Sequence, residues 1–120
     1  MVVMEEVTRE ILLGLWKIHI LHHAAEEPVV GLWMLRELRH HGYEVSPGTL
    51  YPLLKRMARH GWLRCSVAAR GGARARKSYS LTERGRDVLE LLREQVEELA
   101  RELGHPRRQG KRATGERRPR

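Results

Sequence analysis

The side chains in this sequence that most clearly indicate a binding role are cationic, and they are concentrated in one part of the chain. Residues 55–86 contain ten lysines and arginines and a single carboxylate, Glu83, although the whole chain carries a formal net charge of only +8. The flanking stretches 1–54 and 87–103 are both acidic overall, so charge is segregated along the chain. Clustered cations of this kind are the footprint expected of a surface that binds a polyanion.

The cationic block begins inside residues 46–63, which have the pattern of one amphipathic helix. Ser46 is a typical N-cap whose hydroxyl can accept from a free N–H, Pro47 fits the first helical position, and Gly61 is a typical C-terminal cap. Four apolar residues recur on one side at i, i+3, i+4 and i+7: Leu50, Leu53, Leu54 and Met57. We therefore predict a recognition helix for DNA with these contact residues: Ser46, Thr49, Tyr51, Lys55, Arg56 and Arg59. Pro52 should remove one intrahelical hydrogen bond, and the pattern gives no reason why the helix tolerates it.

A hairpin is predicted after this helix, because the periodicity changes from helical to alternating. Residues 63, 65 and 67 are apolar and alternate with Arg64 and Ser66, and residues 77–81 alternate again with Tyr79 and Leu81 on one side. The connecting loop contains glycine and no acidic residue. We expect three arginines around this loop to contact phosphate: Arg70, Arg74 and Arg76.

Two further helices are predicted before the recognition helix. The first covers about residues 5–25, with a heptad repeat that favours helix–helix packing. The second covers about residues 29–41 and is capped by Gly42. Two helices joined by a tight turn, the second cationic outside, are typical of a helix-turn-helix.

The last helix begins at a Thr82 cap and ends at Gly104. Its apolar residues alternate spacings of four and three from Gly85 to Leu103, a seam that favours a partner helix in a homodimer. Packing against the first helix of the same chain is the alternative. The predicted dimer interface comprises Ile11, Leu15, Ile18, His22, Leu89, Leu92, Val96, Leu99 and Leu103. The basic tail 104–120 has no apolar face and should be disordered, either attracting nucleic acid or keeping the protein in solution.

Several functional classes are disfavoured. No apolar run approaches the roughly 18 residues of a membrane span, the acidic start is unlike a signal peptide, and the single Cys65 fits a reducing cytoplasm. No Asp precedes residue 87, and we find no phosphate-binding glycine motif or Cys/His constellation, so we predict neither an enzyme nor a cofactor.

Three histidines raise the question of metal binding. His19, His22 and His23 have the spacing i, i+3, i+4, which can place ligands on one helix face. No Cys or Asp is nearby in sequence, and only Glu26 follows one turn later. The sequence therefore favours buried or interfacial histidines, and we predict no metal site. An organic effector in an apolar dimer cleft between the first and last helices stays open, with its identity unknown.

The runs GYEVSPGTLYPLLKRMARHGWL and GGARARKSYSLTERG closely resemble the PadR-like transcriptional regulators, over about residues 11–103. The resemblance implies a DNA-binding dimer, usually a repressor, whose C-terminal helix packs with the partner's first helix. It also implies that Thr49, Tyr51 and Lys55 lie on the recognition helix. Arg74, Arg76 and Lys77 would lie on the wing that follows the phosphate backbone. Two departures are Leu32 after Gly31, where the family often has Gly-Tyr, and Ser78 before Tyr79, where many members have consecutive aromatics.

We therefore expect a mainly α fold with a small two-stranded β-wing, a winged helix-turn-helix followed by a long C-terminal dimerisation helix. The expected divisions are a helix contributing to the dimer (1–27), the DNA-binding domain (28–81), the dimerisation helix (82–103) and the tail (104–120). The expected function is a sequence-specific DNA-binding regulator, a repressor that binds a palindromic operator as a homodimer in a prokaryotic cytoplasm. Two alternatives are a sensor with a ligand or metal at the dimer cleft, and a protein–protein adaptor that does not bind DNA.

Overall fold

The first part of the chain is helical from residue 4 to residue 26. A computed structural model describes residues 3–68 and 76–104, and all structural statements concern these. Helix α1 (Met4–Val7), a π-helical segment (Thr8–Leu12) and helix α2 (Leu13–Glu26) follow one another directly. The helix predicted at 5–25 is confirmed, with a π-helical segment that the heptad pattern did not indicate.

The helix-turn-helix consists of α3 (Gly31–His40) and α4 (Pro47–Arg59). Its first helix begins two residues later than predicted, because Val29–Val30 forms a short strand, β1. The assignment of these two valines to a helix was wrong. They pair with residues 48 and 50 positions away, which a local pattern cannot reveal.

The sheet has three antiparallel strands, where two were predicted. Strands β2 (Leu63–Val67) and β3 (Lys77–Leu81) form the expected hairpin, and β1 adds to the other side of β3, giving the order β1-β3-β2. Tyr79 on β3 lies opposite both Val29 and Cys65. Only Leu63 of β2 is buried, whereas Cys65 and Val67 are exposed, so the half-buried strand that the alternation predicts is buried at its first residue alone.

The C-terminal helix α5 (Glu83–Leu103) begins at residue 83 and ends at residue 103, as its pattern predicted. The chain divides into two compact units, Met1–Glu90 and Leu91–Arg120, so α5 begins in the first and ends in the second. The predicted four-part division stays a prediction, and the tail lies, apart from Gly104, outside the described residues. Within the described residues no helix combines the length and hydropathy of a membrane span.

The core of the first unit is built mainly from aliphatic and methionine side chains, with Trp16 and Tyr79 as its aromatic members, since the chain has no Phe. Helix α2 contributes three of its largest buried residues, Trp16, Ile20 and Leu21, and α3 contributes Met34 and Leu38. The apolar face of α4 completes it with Leu50, Leu53, Leu54 and Met57. The core thus joins the first helix, the helix-turn-helix and the sheet.

One close approach fixes where α5 begins. A Cβ added at the buried Gly85 would lie 2.1 Å from the carbonyl oxygen of Trp62 and 2.8 Å from Cδ1 of Leu81. A backbone oxygen cannot move aside as the end of a flexible side chain can. Only glycine therefore allows α5 to pass so close to the chain entering β2.

We predict that Gly85→Ala lowers the free energy of unfolding by about 1–3 kcal/mol or more, because the methyl group overpacks a site that cannot relax. Chemical denaturation of the full chain measures this. Gly14→Ala is the matched control, since a Cβ at this helical glycine meets no atom within 4 Å. Alanine there should be neutral or stabilise by up to about 1 kcal/mol. Equal stability of Gly85→Ala and the parent would contradict the close approach.

Candidate nucleic-acid interface

Helix α4 is held by one face and exposes the other. Its four apolar residues are at most 1% exposed, and the hydrogen-bonded helix fixes the opposite side chains relative to them. Tyr51, Lys55, Arg56 and Arg59 are all exposed, in agreement with the predicted amphipathic pattern. The cationic side chains of α4 therefore face outward from a rigid support.

The start of α4 differs from the prediction in its hydrogen bonds. Ser46 occupies the N-cap position, but its hydroxyl donates to Oγ1 of Thr49 at 3.3 Å and caps no backbone N–H. The Ser46 carbonyl instead accepts from the N–H groups of Thr49 and Leu50, both at 3.0 Å. Because Pro47 has no N–H, Gly48 carries the one N–H of this first turn that lacks a partner among the described residues.

The turn that leads into α4 is fixed by a glycine cap at the end of α3. Gly42 has φ of 95°, and its N–H donates to the Arg39 carbonyl at 2.9 Å. The N–H of Tyr43 donates to the Leu38 carbonyl at 3.2 Å, which completes a Schellman motif. The Arg39 side chain adds a bond from Nε to the Val45 carbonyl at 3.0 Å. The predicted Gly42 cap is confirmed, and it sets the angle at which α4 begins.

The same device ends α4. Gly61 has φ of 82°, its N–H donates to the Ala58 carbonyl at 3.0 Å, and the Trp62 N–H donates to the Met57 carbonyl at 3.1 Å. The predicted Gly61 cap is confirmed. It directs the chain from the recognition helix into strand β2.

Tyr51 is placed by the first residue of α3. A Cβ at Gly31 would lie 2.7 Å from Cε1 of Tyr51, so the ring packs directly over the glycine backbone. The Tyr51 side chain is still 41% exposed. A ring that is packed on one side and open on the other is suited to a contact with a ligand outside the protein.

Of the four wing residues predicted to bind phosphate, two lie in the described part of the chain. Arg76 and Lys77 are exposed at the start of β3, and the Ala68 N–H donates to the Arg76 carbonyl at 2.9 Å, one step beyond the ladder. Arg70 and Arg74 lie outside the described residues. Two residues along β3 from Lys77, Tyr79 is buried beside Cys65 of β2, and this burial raises the pKa of its phenol to about 12.

The exposed cations share one electrostatic property. Within residues 3–68 and 76–104, none of the five has a carboxylate oxygen within 4.0 Å: Lys55, Arg56, Arg59, Arg76 and Lys77. Unpaired lysine and arginine side chains on one surface keep their full attraction for phosphate.

Thr82 connects the end of α4 to the start of α5. Its hydroxyl donates to the Gly61 carbonyl and accepts from the Gly85 N–H at 2.9 Å, so the predicted helix cap is confirmed. Its own N–H donates to the Trp62 carbonyl at 3.1 Å. One residue therefore ties the recognition helix, the wing and α5 together.

The predicted dimer residues fall into two groups. Ile11, Leu15 and His22 are exposed on the N-terminal helices, and Ile18 is half-buried. Val96, Leu99 and Leu103 are exposed on α5, and Leu92 is half-buried. Leu89 is only 5% exposed within the single chain, because it belongs to the core of the first unit. The accessible apolar stripe on α5 therefore starts after Leu89.

The histidines gather differently from the sequence pattern. His19 and His23 meet His41 from the end of α3, with a nitrogen from each lying within 4.8 Å of the others, while His22 faces Glu26. Burial, aided by the neighbouring histidines, lowers the pKa of His19 and of His23. The sequence analysis did not group His41 with these histidines, because it lies 18 residues after His23. Its place at the end of the next predicted helix, before the Gly42 cap, is the one sequence signal that could have suggested it.

A cavity of about 540 Å³ lies between the end of α2 and the start of α3. Its lining includes Val29, Leu32, Trp33, Arg36 and Arg76. It is contained in one chain, whereas the sequence suggested an effector site in a dimer cleft. The Leu32 departure from the family pattern lies in its wall.

Comparison with known proteins identifies the family. Residues 20–91 match the Transcriptional regulator PadR-like family. The chain belongs to this family. It is 47% identical over 95 residues to Transcriptional regulator Rv3488 of Mycobacterium tuberculosis, an alignment that covers 79% of this chain and 88% of that protein. The predicted resemblance is confirmed, and the chain is a PadR-like transcriptional regulator and not an enzyme.

Solved structures of the PadR-like family share its winged fold. A PadR-like transcription factor from Bacteroides fragilis superposes with a TM-score of 0.71 at 27% identity, covering 83% of this chain and 97% of that one. A PadR family regulator from Eggerthella lenta superposes with a TM-score of 0.64 at 28% identity, covering 83% and 91%. The mainly α winged helix-turn-helix expected from the sequence is confirmed.

We predict that Thr82→Ala lowers the free energy of unfolding of this PadR-like regulator by about 1–2 kcal/mol, because the Gly85 N–H and the Gly61 carbonyl both lose a partner. Thr82→Ser keeps the hydroxyl and is the matched control, expected to lie within about 0.5 kcal/mol of the parent. Urea denaturation of the three proteins measures the difference. Equal losses for both variants would show that the methyl group, and not the hydroxyl, matters.

Proposed function

We propose that this PadR-like regulator binds duplex DNA sequence-specifically, with α4 in the major groove and the wing on the adjacent backbone. The observation that carries the proposal is the outward cationic face of α4, held by four buried apolar residues and without a carboxylate partner among the described residues. A helix of this size fits the major groove of B-form DNA, whereas the deep groove of RNA excludes it.

The exposed side chains of α4 can make contacts of two kinds. Tyr51, Lys55, Arg56 and Arg59 are suited to base edges or to phosphates. The free Gly48 N–H and the hydroxyls of Ser46 and Thr49 suit one further phosphate. Arg76 and Lys77, with Arg70 and Arg74 of the wing loop, would follow the neighbouring backbone.

We further propose that the protein acts as a homodimer. What supports this is the apolar stripe of Val96, Leu99 and Leu103 on α5, together with exposed Ile11 and Leu15, which a single chain leaves in water. A two-fold dimer binds a palindromic operator with half-sites about 34 Å apart. Occupation of such an operator in the prokaryotic cytoplasm would repress transcription by excluding other proteins from the same DNA.

Response to a small organic effector is a second candidate function. The observation that favours it is the cavity beside α3, where Leu32 and Trp33 supply apolar surface and Arg36 supplies a positive charge. Such a mixture of apolar walls and few polar groups is typical of small-molecule sites. A ligand there would contact α3 and the Arg76 end of the wing together.

We predict that Arg56→Ala and, separately, Arg76→Ala weaken binding to a duplex selected from a random DNA pool. Each lost phosphate contact should reduce the slope of log K against log salt by about 0.9, or about 1.8 for a dimer. Fluorescence anisotropy at several salt concentrations measures both the affinity and the slope. An RNA duplex of the same sequence should compete poorly.

Arg9→Ala is the matched control, since Arg9 is an exposed arginine on the π-helical segment and belongs to neither α4 nor the wing. It removes the same charge and should leave the slope unchanged. Unchanged affinity and slope in both test variants would eliminate the model, whereas failure to select any duplex from the pool would favour the adaptor alternative.

The dimer gives a separate prediction. Leu99→Glu places a charge in the apolar stripe of α5 and should convert the dimer into monomers, as measured by sedimentation equilibrium. Leu91→Glu is the matched control, because Leu91 is equally exposed on the same helix (57% against 53%) but lies outside the stripe. A protein in which Leu91→Glu dissociates the dimer and Leu99→Glu does not would have a different interface.

A further inference from the structure

Four side chains with metal-ligating atoms converge between α2 and the end of α3. His19 and His23 are one turn apart on α2, and Glu37 and His41 are one turn apart at the end of α3. We propose that His19, His23 and His41, with the Glu37 carboxylate, form a binding site for a divalent transition-metal ion of the zinc class.

The distances in this cluster suit one ion. A tetrahedral zinc ion with ligand bonds of 2.0–2.1 Å separates neighbouring ligand atoms by about 3.3 Å. Oε2 of Glu37 lies 3.1 Å from Nε2 of His41 and 3.6 Å from Nε2 of His23. The three imidazole nitrogens lie within 4.8 Å of one another, so small side-chain rotations would bring them to ligand distance, with the Glu37 carboxylate next to His23 and His41.

The surroundings of His23 match those of a metal-bound histidine. With Nε2 facing the Glu37 carboxylate, its Nδ1 lies 3.8 Å from Oε1 of Glu26. A carboxylate on the second nitrogen is the usual way in which a ligating imidazole is oriented and made more basic. Glu26 is also 3.5 Å from Nε2 of His22, which places His22 in this outer group.

The ligand types indicate the class of ion. Three imidazoles and one carboxylate favour zinc, and also nickel or copper, over magnesium and calcium, which prefer oxygen ligands alone. The cluster contains no thiolate, since Cys65 lies on β2. Zinc is therefore the appropriate probe.

A competing set of three ligands lies on one helix. His22, His23 and Glu26 also have mutually close ligand atoms, but His22 and Glu26 are exposed and all three come from a single turn of α2. The cross-helix set has a fourth ligand and two half-buried histidines, so its geometry is more strongly fixed by the fold. The observations therefore favour the cross-helix set.

An ion bound there would join α2 to the residue before the Gly42 turn. His41 directly precedes that glycine, and Tyr43 directly follows it, with its hydroxyl 3.5 Å from Nε2 of His19. The ion would therefore hold the start of the connection to α4. The site itself does not depend on the proposed DNA contacts, so it can be tested without DNA.

The test is zinc titration of the full chain, after chelator treatment, in competition with a chromophoric zinc indicator. We expect one tightly bound ion per chain. Loss of an outer-shell partner alone weakens metal affinity about 10–100-fold, so removal of a direct ligand by His41→Ala should weaken it by about 100-fold or more. The His41 side chain is 42% exposed, so the fold should be retained, which circular dichroism checks.

His40→Ala and His22→Ala are the controls, and both should retain tight binding, with at most an outer-shell loss for His22→Ala. Cobalt(II) substitution gives a second measurement, because a four-coordinate site produces strong visible absorption that His41→Ala should abolish. Unchanged zinc affinity in His41→Ala, tight binding lost only in His22→Ala, or weak binding of several ions per chain would each overturn the proposal.

Discussion

The burial of one face of α4 is the interaction on which the rest of this structure depends. Leu50, Leu53, Leu54 and Met57 are removed from water almost completely, a contribution of about 1.5–3 kcal/mol for each side chain. Because a helix is rigid, fixing this face also fixes the direction of Lys55 and Arg59 on the other. The same burial offers a reason why Pro52 is tolerated: its ring lies on the exposed side, where water can satisfy the carbonyl that loses its N–H partner.

Backbone geometry at a few small residues then positions the neighbouring elements. Gly42 and Gly61 end successive helices in the same left-handed conformation, and together they set how α4 is entered and left. Gly85 allows α5 to pass next to Trp62, and Thr82 forms hydrogen bonds with both segments at that crossing, to Gly61 and to Gly85. Helix-turn-helix, wing and C-terminal helix are thus connected through backbone contacts at the two ends of α4.

Two features of the described residues, an exposed apolar stripe and a cluster of metal-ligating atoms, each suggest a binding partner of different chemistry. The stripe around Leu99 leaves apolar area in water, which another helix can cover. The histidine cluster gathers nitrogen and oxygen atoms around a common point, which an ion can occupy. The stripe belongs to α5 and the histidine cluster to α2 and the end of α3, so the proposed partner helix, the proposed ion and DNA would contact different elements.

The sequence by itself determined the helices, their C-terminal glycine caps and the cationic face, because these follow from local spacing: the i, i+3, i+4 repeat around Leu53, and glycines at positions 42 and 61. Tertiary structure decided what depends on residues far apart in the chain. No local periodicity in the sequence indicates three such contacts: the pairing of Val29 with Tyr79, the packing of Tyr51 on Gly31 and the approach of His41 to His19. Only the packing of α2, α3 and the sheet on a common core brings those residues together.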